Sequence, residues 1–574
     1  MNEQPTIAYF SMEVGLLPEM PTYSGGLGVL AGDTLRASAD LGLPLVGVTL
    51  LHRKGYFRQV LDKDGNQSEQ PATWQPEDHL ELLPETVTVE IEGRPVLIRA
   101  WRFRIQGSTR RTVSVLFLDT RCPENDPFDQ TLTDSLYGGD RRYRLCQEMV
   151  LGLGGFAMLQ TLGHRQVRIY HMNEGHSALL TLALMDSLGK ELFGGELGEE
   201  TVEAVRQRCV FTTHTPVPAG HDTFTAELAE TVLGKENISR LKNSGFFSDG
   251  ELNMTRLALF FSRYINGVAM RHREVSQDMF PEYPIDAITN GIHALTFVVP
   301  AMARLYDRHF PEWRRDSLYL RHAISITQDE FRSAHHEAKT ELFEEIRQRT
   351  GKSLESEVFT IGFARRSTAY KRADLLLSDP ERLAKIAREV GPLQLIYAGK
   401  AHPQDEEGKA LIRRIFQVAS KLGDGVDLVY LENYDMQLGK ILCGGVDLWL
   451  NTPRKPQEAS GTSGMKAAAN GVPSLSILDG WWIEGHFEGV TGWSIGDLAK
   501  ESDDSLEAAS LYDKLENVVA PLYYQEPTAY ANVMRAATAL NGSYFSAQRM
   551  VVQYVRNAYR PADPVQLDVL LRQG

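Results

Sequence analysis

Short apolar runs recur along the chain, separated by longer stretches in which apolar residues return every three or four positions. Thr6–Ser11, Pro44–Leu51, Val167–Met172, Cys209–Thr213, Val358–Ala364, Leu393–Ala398, Val426–Tyr430 and Val446–Leu450 hold five to eight residues each. Runs of that length, rich in Val, Ile, Leu and Phe, predict strands buried on both faces of a sheet. The helical period is carried by the stretch after the glycines near residue 26, by Asp140–Leu162, by residues 328–349 and by residues 544–559. The charges of 328–349 read as a solvated face. The last helix, 544–559, is expected to cross back and brace the first half. Over residues 85–120 the pattern changes. V-T-V-E-I-E-G and T-V-S-V-L-F-L-D alternate with period two, as antiparallel strands with one wet face do. Strands alternating with helices predict an α/β protein built on parallel sheets.

Composition adds bounds. At 574 residues the chain exceeds one ordinary core, and two domains of roughly 200–300 residues follow. A net charge of −15 argues against non-specific nucleic-acid binding. The four cysteines, Cys122, Cys146, Cys209 and Cys443, have no metal-ligand spacing, so no metal site is expected. The first residues lack a basic segment followed by an apolar run, and no stretch reaches the ~18 apolar residues of a membrane span. The expectation is a reduced, cytoplasmic protein without a membrane partner. No internal repeat is apparent.

Polar residues gather where the predicted strands end, which is where open α/β sheets bind ligands. Ser24-Gly25-Gly26-Leu27-Gly28 is a glycine turn leading into a helix, a combination that presents amides to an anion. Val167–Met172 runs into Asn173-Glu174-Gly175-His176, and Cys209–Thr213 into His214-Thr215-Pro216. Val358–Ala364 runs into Arg365-Arg366-Ser367-Thr368-Ala369-Tyr370-Lys371-Arg372, four cations within eight residues and no acid before Asp374. In an acidic chain that cluster predicts a local anion site. The last group is Glu458–Gly480. Its Gly461, Ser463 and Gly464 leave little bulk around Lys466, and the alanines behind it, followed by Gly-Val-Pro, predict one helix and its stop. An amine beside a phosphate at that helix N-terminus can bond an aldehyde cofactor such as pyridoxal phosphate. Spacing alone also fits a solvated lysine on a helix.

The segment E-A-S-G-T-S-G-M-K, ending at Lys466, resembles the cofactor loop of the α-glucan (glycogen, starch, maltodextrin) phosphorylases, whose lysine binds pyridoxal phosphate. The match includes Glu458, Ser460, Gly461, Thr462, Met465 and Lys466. Further segments are similar to that family in the same order: R-L-C-Q-E ending at Glu148, Asn173–His176 with Glu174 in place of an aspartate, T-T-H-T around His214, T-N-G-I around Asn290, R-x-x-x-Y-K-R from Arg366 to Arg372, and L-E-N-Y ending at Tyr434. The resemblance spans residue 6 to about residue 500. It implies two Rossmann-like, doubly wound domains facing a central cleft, the GT-B glycosyltransferase type. The N-terminal domain would span residues 1–293 and the C-terminal domain 294–574.

The resemblance also implies a reaction: phosphorolysis of α-1,4-glucans from the non-reducing end, giving α-glucose 1-phosphate with retention. Lys466 would hold pyridoxal phosphate covalently, with Thr462, Gly26, Arg365 and Tyr434 around it. Arg365 stands where most members have lysine. Arg366 and Lys371 would clamp inorganic phosphate beside Tyr370. His214 and Asn290 would orient the glucosyl ring, with Leu27 and Glu174 lining its site. Glu458 and the amides of Ser460 and Gly461 would bind its hydroxyls. The cofactor's phosphate, rather than its ring, would exchange the proton. Sugar-nucleotide transferases of the same architecture often carry a second glutamate at the position of Lys466. An NDP-glucose-dependent α-glucan synthase is therefore the main alternative, and a non-catalytic glucan-binding relative the other. A homodimer is implied too, although the subunit-joining helices of larger members are shortened here between Pro123 and Asp140. The long N-terminal extension that regulates those members has no counterpart before the first strand, so no allosteric regulation is expected. Trp481, Trp482 and Trp493 offer either a sugar platform or interface packing.

Overall fold

The computed structural model describes residues 4–193, 198–242, 246–248, 250–499 and 501–560. The outermost parts of the two expected domains, 1–3 and 561–574, lie outside the described residues. Two sheets organise the rest. The first runs Asp286–Ala287, Tyr264–Gly267, Cys209–Thr212, Ile169–Asn173, Ile7–Ser11, Leu45–Leu50, Thr112–Asp119, Arg94–Gln106, Glu81–Ile91. The strands from Asp286–Ala287 to Thr112–Asp119 pair in parallel. Arg94–Gln106 then adds antiparallel ladders to Thr112–Asp119 and Glu81–Ile91, which is the excursion that the period-two pattern predicts. The second sheet is wholly parallel, in the order Val426–Leu431, Leu393–Ala398, Phe359–Ala364, Leu448–Asn451, Ser474–Ile477, Gly492–Ile495. The expected α/β class, with two doubly wound Rossmann-like sheets, is what the chain adopts.

The two sheets share one topological device. In each, the first strand lies inside, the strands that follow it (four in the first sheet, two in the second) extend to one side, and the later ones to the other. The reversal opens a crevice at the carboxyl ends of the strands on either side of it. In the first sheet those strands are Ile7–Ser11 and Ile169–Asn173, and Asn173 Nδ2 donates to Ser11 Oγ at 3.1 Å across the gap. In the second they are Phe359–Ala364 and Leu448–Asn451, where the Arg365 guanidinium bonds Asn451 Oδ1. The central strands are buried along their whole length, because helices cover both faces.

Asp140–Leu162 departs from one regular helix. Arg141–Met149 and Gly155–Thr161 are α-helical, but Val150–Gly154 winds as a π-helix. A Cβ at Gly152 would lie 2.6 Å from Leu180 N, and one at Gly155 2.7 Å from Phe10. The glycines let this stretch press onto the sheet, and the wider turn absorbs the mismatch.

Helix Ala547–Asn557 packs back on the first sheet. Met550, Val551 and Tyr554 join the cluster of Tyr9, Leu35 and Val210, and Tyr554 and Tyr559 hydroxyls reach Thr212 and His171 at 3.1 and 2.8 Å. Trp481, Trp482 and Trp493 are core residues at 3%, 1% and 1% exposure, which leaves them no face for a sugar. A hairpin, Arg58–Leu61 with Gln67–Gln70, reaches from the first half to the second. Gln59 bonds Gly399 O and Asn433 N at 2.9 Å each, and Gln67 exchanges two bonds with Ala401.

Candidate active site

The second crevice is built on charge. Glu458 is buried, and its Oε1 and Oε2 accept from Arg365 at 3.0 and 2.7 Å; Oε2 also lies 2.5 Å from Lys371 Nζ. Burial alone would raise the Glu458 carboxyl, but the two cations hold it at about 2. The cation run therefore has an acid in its midst, 87 residues beyond Lys371 in the chain. Both Glu458 oxygens are engaged, so the expected sugar contact there competes with Arg365 and Lys371. Lys371 also lies 4.4 Å over the Tyr370 ring. Burial would raise the Tyr370 phenol, yet Lys371 and Arg366 bring it below its ordinary value.

Arg366 is different. Its side chain is exposed, and among the described residues no carboxylate pairs with it. It stands among the phenols of Tyr370, Tyr56 and Tyr137, the last two from the first half of the chain. A guanidinium between both halves, open to water and without a carboxylate, is suited to an incoming anion.

Lys466 lies in helix Ser463–Ala469, which begins one residue after Thr462; the Thr462 hydroxyl caps no amide. The lysine is buried, with Nζ 4.1 Å from the centre of the Phe297 ring. Burial lowers its pKa, against the nearby Asp33 and Cys443, which raise it. Asn470 ties this helix to the segment 297–299: Nδ2 donates to Lys466 O and Phe297 O at 2.9 Å each, and Oδ1 accepts from Val299 N at 2.8 Å. Tyr434 packs beside Cys443, and burial pushes its phenol up.

The loop from Glu458 to Gly461 rests on the segment after the strand Ser474–Ile477. Glu458 N donates to Asp479 Oδ2, and Trp481 N to Ser460 O, each at 2.9 Å. Burial pushes the Asp479 carboxyl up to about 7, with the Glu458 charge adding. Gly480 has φ +56, and a Cβ there would sit 2.3 Å from Ser460 O, so only glycine fits. Ser460 Oγ is buried without a partner.

On the first sheet, the glycine turn divides its amides. Ser24 N and Gly25 N donate to Glu13 Oε2, at 2.5 and 3.3 Å. An internal carboxylate thus takes part of the amide nest that the sequence assigns to a ligand anion. Gly26 and Leu27 open helix Gly26–Asp40, and their amides have no acceptor among the described residues. The helix dipole adds to their pull on an anion. Tyr137 OH donates to Glu13 Oε1 at 2.8 Å.

His214 Nε2 lies 2.7 Å from Asn173 Oδ1. Burial pulls its pKa down to about 3, with His272, His171 and His176 adding, so the ring is neutral at pH 7. Glu174 has φ +77, a strained value for a side-chain-bearing residue. Its oxygens accept from Gly175 N, His214 N and Thr215 Oγ1 at 3.1, 2.7 and 3.1 Å. Glu174 therefore holds the His214 loop mainly through Oε2, while Oε1 accepts only from Gly175 N. Asn290 is buried with Oδ1 unpartnered, while its carbonyl accepts from Arg549 at 2.9 Å.

The structure thus brings Arg365, Arg366, Tyr370, Lys371, Glu458, Ser460 and Gly461 together and sets Lys466 and Tyr434 near Cys443, with Thr462 just ahead of the Lys466 helix. Gly26 and Leu27 head the helix whose Asp33 faces Lys466. Glu13, Asp479 and Phe297 are the neighbours that reasoning from sequence missed. Glu13 follows the strand Ile7–Ser11 by two residues and Asp479 follows Ser474–Ile477 by two, so the strand-end rule could have found both.

A model of the carbohydrate phosphorylase family matches residues 221–489. The chain is 38% identical to a maltodextrin phosphorylase of Thermococcus litoralis, over 98% of this chain and 71% of that protein. The chain belongs to the carbohydrate phosphorylase family. Other phosphorylases agree: a glycogen phosphorylase of Mycobacterium tuberculosis is 35% identical over 97% of this chain and 71% of its own. One from Aquifex aeolicus is 36% identical over 96% and 86%. As a carbohydrate phosphorylase the protein is an enzyme of the glycosyltransferase class. Among the described residues no helix is long and apolar enough to cross a membrane. The four cysteines are free and buried.

Proposed function

We propose that this phosphorylase cleaves α-1,4-glucans with inorganic phosphate from the non-reducing end, releasing α-glucose 1-phosphate with retention, and that Lys466 holds pyridoxal phosphate covalently. The observation that carries the reading is the state of Lys466. Its amine is buried, depressed in pKa by that burial, over an aromatic ring and without an ion pair among the described residues. Those are the conditions under which a lysine bonds a carbonyl. The residues around it fit the group. Gly26 and Leu27 offer amides to an anion, and Tyr434 and Thr462 supply hydroxyls nearby. When bound, the cofactor supplies a phosphate that passes a proton to and from the substrate phosphate. The chain does the rest. Arg366 and Lys371 hold the substrate phosphate, the arginine as a fork and the lysine as a point charge. Glu458 limits the net positive charge there and keeps Lys371 in place. Neutral His214, oriented by Asn173, donates or accepts a bond at the glucosyl ring without adding charge, and Asn290 and Ser460 offer their unpartnered oxygens to its hydroxyls. A domain division near residues 293 and 294, a homodimer and a reduced, cytoplasmic setting complete the proposal.

The lysine at position 466 disfavours the sugar-nucleotide alternative, which calls for a carboxylate there. The test is Lys466→Ala. The wild-type protein should show an imine absorbance band near the border of the ultraviolet, and the variant should lose both the band and glucose 1-phosphate release from maltodextrin. Wild-type release by the variant would refute the assignment.

A further inference from the structure

Behind the cation cluster lies a second group of charges that the phosphate clamp does not use. Glu507, on helix Asp504–Lys514, is 3% exposed. Its Oε2 lies 2.6 Å from Arg372 Nη2 and its Oε1 3.3 Å from Lys455 Nζ. Arg372 and Lys455 are themselves buried. A buried ion triad contributes little net stability, because desolvation offsets much of its attraction. What this triad does control is the relative position of two loops.

Arg372 directly follows Lys371 and takes a left-handed backbone, φ +46. Its Nε donates to Thr452 O at 3.0 Å and its Nη2 to Pro453 O at 2.7 Å. Thr452 Oγ1 donates back to the carbonyls of Lys371 and Arg372, at 3.1 and 3.0 Å. Arg454 N donates to Tyr370 O at 2.7 Å. Lys455 stands three residues before Glu458 and donates to Asp497 O at 3.1 Å. One loop therefore presents Lys371 and the other Glu458. They are stitched together through their backbones, and Glu507 holds one cation from each. Asp504, from the same helix, adds a 2.8 Å pair to Arg372 and another to Arg454.

We propose that Glu507 is a positioning residue for the anion clamp, acting through Arg372 and Lys455 without touching substrate. The inference rests on the reading that Lys371 holds inorganic phosphate. Without the Glu507 charge, Arg372 and Lys455 repel each other, the stitched loops shift, and Lys371 loses its register with Glu458 and Arg366. The loss falls on phosphate rather than on glucan.

The experiment measures phosphorolysis by the holoenzyme with phosphate varied at saturating maltodextrin, and the reverse, for wild type, Glu507→Gln, Glu507→Asp and Lys371→Ala. Melting temperatures are read alongside. Glu507→Gln should raise the phosphate KM at least tenfold while the maltodextrin KM stays within twofold. Glu507→Asp keeps the charge but retracts it, and should fall in between. If Glu507→Gln does not fold, Glu507→Asp decides, with a severalfold rise in phosphate KM expected. A lower melting temperature with an unchanged phosphate KM would make Glu507 purely structural and overturn the proposal. If Lys371→Ala leaves the phosphate KM unchanged, the clamp reading itself is wrong and the inference falls with it. The separate Glu507 arm keeps those two failures apart.

Discussion

Lys371 Nζ lies 2.5 Å from Glu458 Oε2, and Arg365 grips the same carboxylate from Nη1 and Nη2 at 2.7 and 3.0 Å. All three side chains are nearly shielded from water. Unpaired charges cannot persist there at low cost. The pairing keeps the cluster folded before any ligand arrives, and leaves Arg366 as the member open to solvent.

Replacing Glu458 with Gln should therefore be costly to the fold as well as to activity. It leaves two buried cations uncompensated, a loss of about 3–5 kcal/mol. Urea unfolding of wild type and variant checks this. The pH dependence has a definite sign. The folded carboxyl is depressed, to about 2, so its stabilisation is complete above the ordinary Glu value of about 4.3 and fades as pH falls through 2. Part of the wild-type stability loss between those values should be missing in Glu458→Gln.

Arg366→Ala should behave in the opposite way. The side chain is exposed and holds no carboxylate among the described residues, so the melting temperature should stay within about 2 °C of wild type. The phosphate requirement should rise and turnover fall, with a loss of roughly 2–4 kcal/mol in transition-state stabilisation. Unchanged phosphate kinetics would place the anion elsewhere.

Acid should destabilise the protein through its buried histidines. Burial holds His171, His176 and His214 at about 3, and His52, His221 and His272 at about 4. In the unfolded chain each takes a proton near pH 6.5, so the unfolded state binds more protons between roughly pH 4 and 6.5. Stability therefore falls as pH drops through 6.5. Asp479, raised to about 7, works in the other direction, as do Glu13, Asp33, Glu148 and Glu174, whose carboxyls burial also raises; they offset part of the histidine effect, so the net fall is shallower than six histidines alone would give. Melting temperatures from pH 7.5 to 5 should fall steadily. The phosphorolysis profile should show no titration of His214 in that range, since its ring is already neutral. A bell limb near pH 6 that disappears in His214→Asn would contradict this.

Much of the architecture was legible in local pattern. Leu393–Ala398 is a strand at the bounds its apolar run predicts, and Gln328–Thr350 is the expected charged helix. The glycine turn before Gly26 and the helix that carries Lys466 also form where their residues dictate. These follow from side-chain period, glycine and alanine propensity, properties of neighbouring residues that a sequence displays directly. Tertiary structure alone decided the electrostatics. Glu458 could be a sugar ligand or a counter-ion until the fold set it against Arg365 and Lys371. Whether the Ser24 and Gly25 amides were free depended on Glu13 turning back onto them, and the neutrality of His214 on how deeply its strand end is buried. Charge state and pairing depend on distance and dielectric, and both are set by contacts between residues that the chain order keeps far apart.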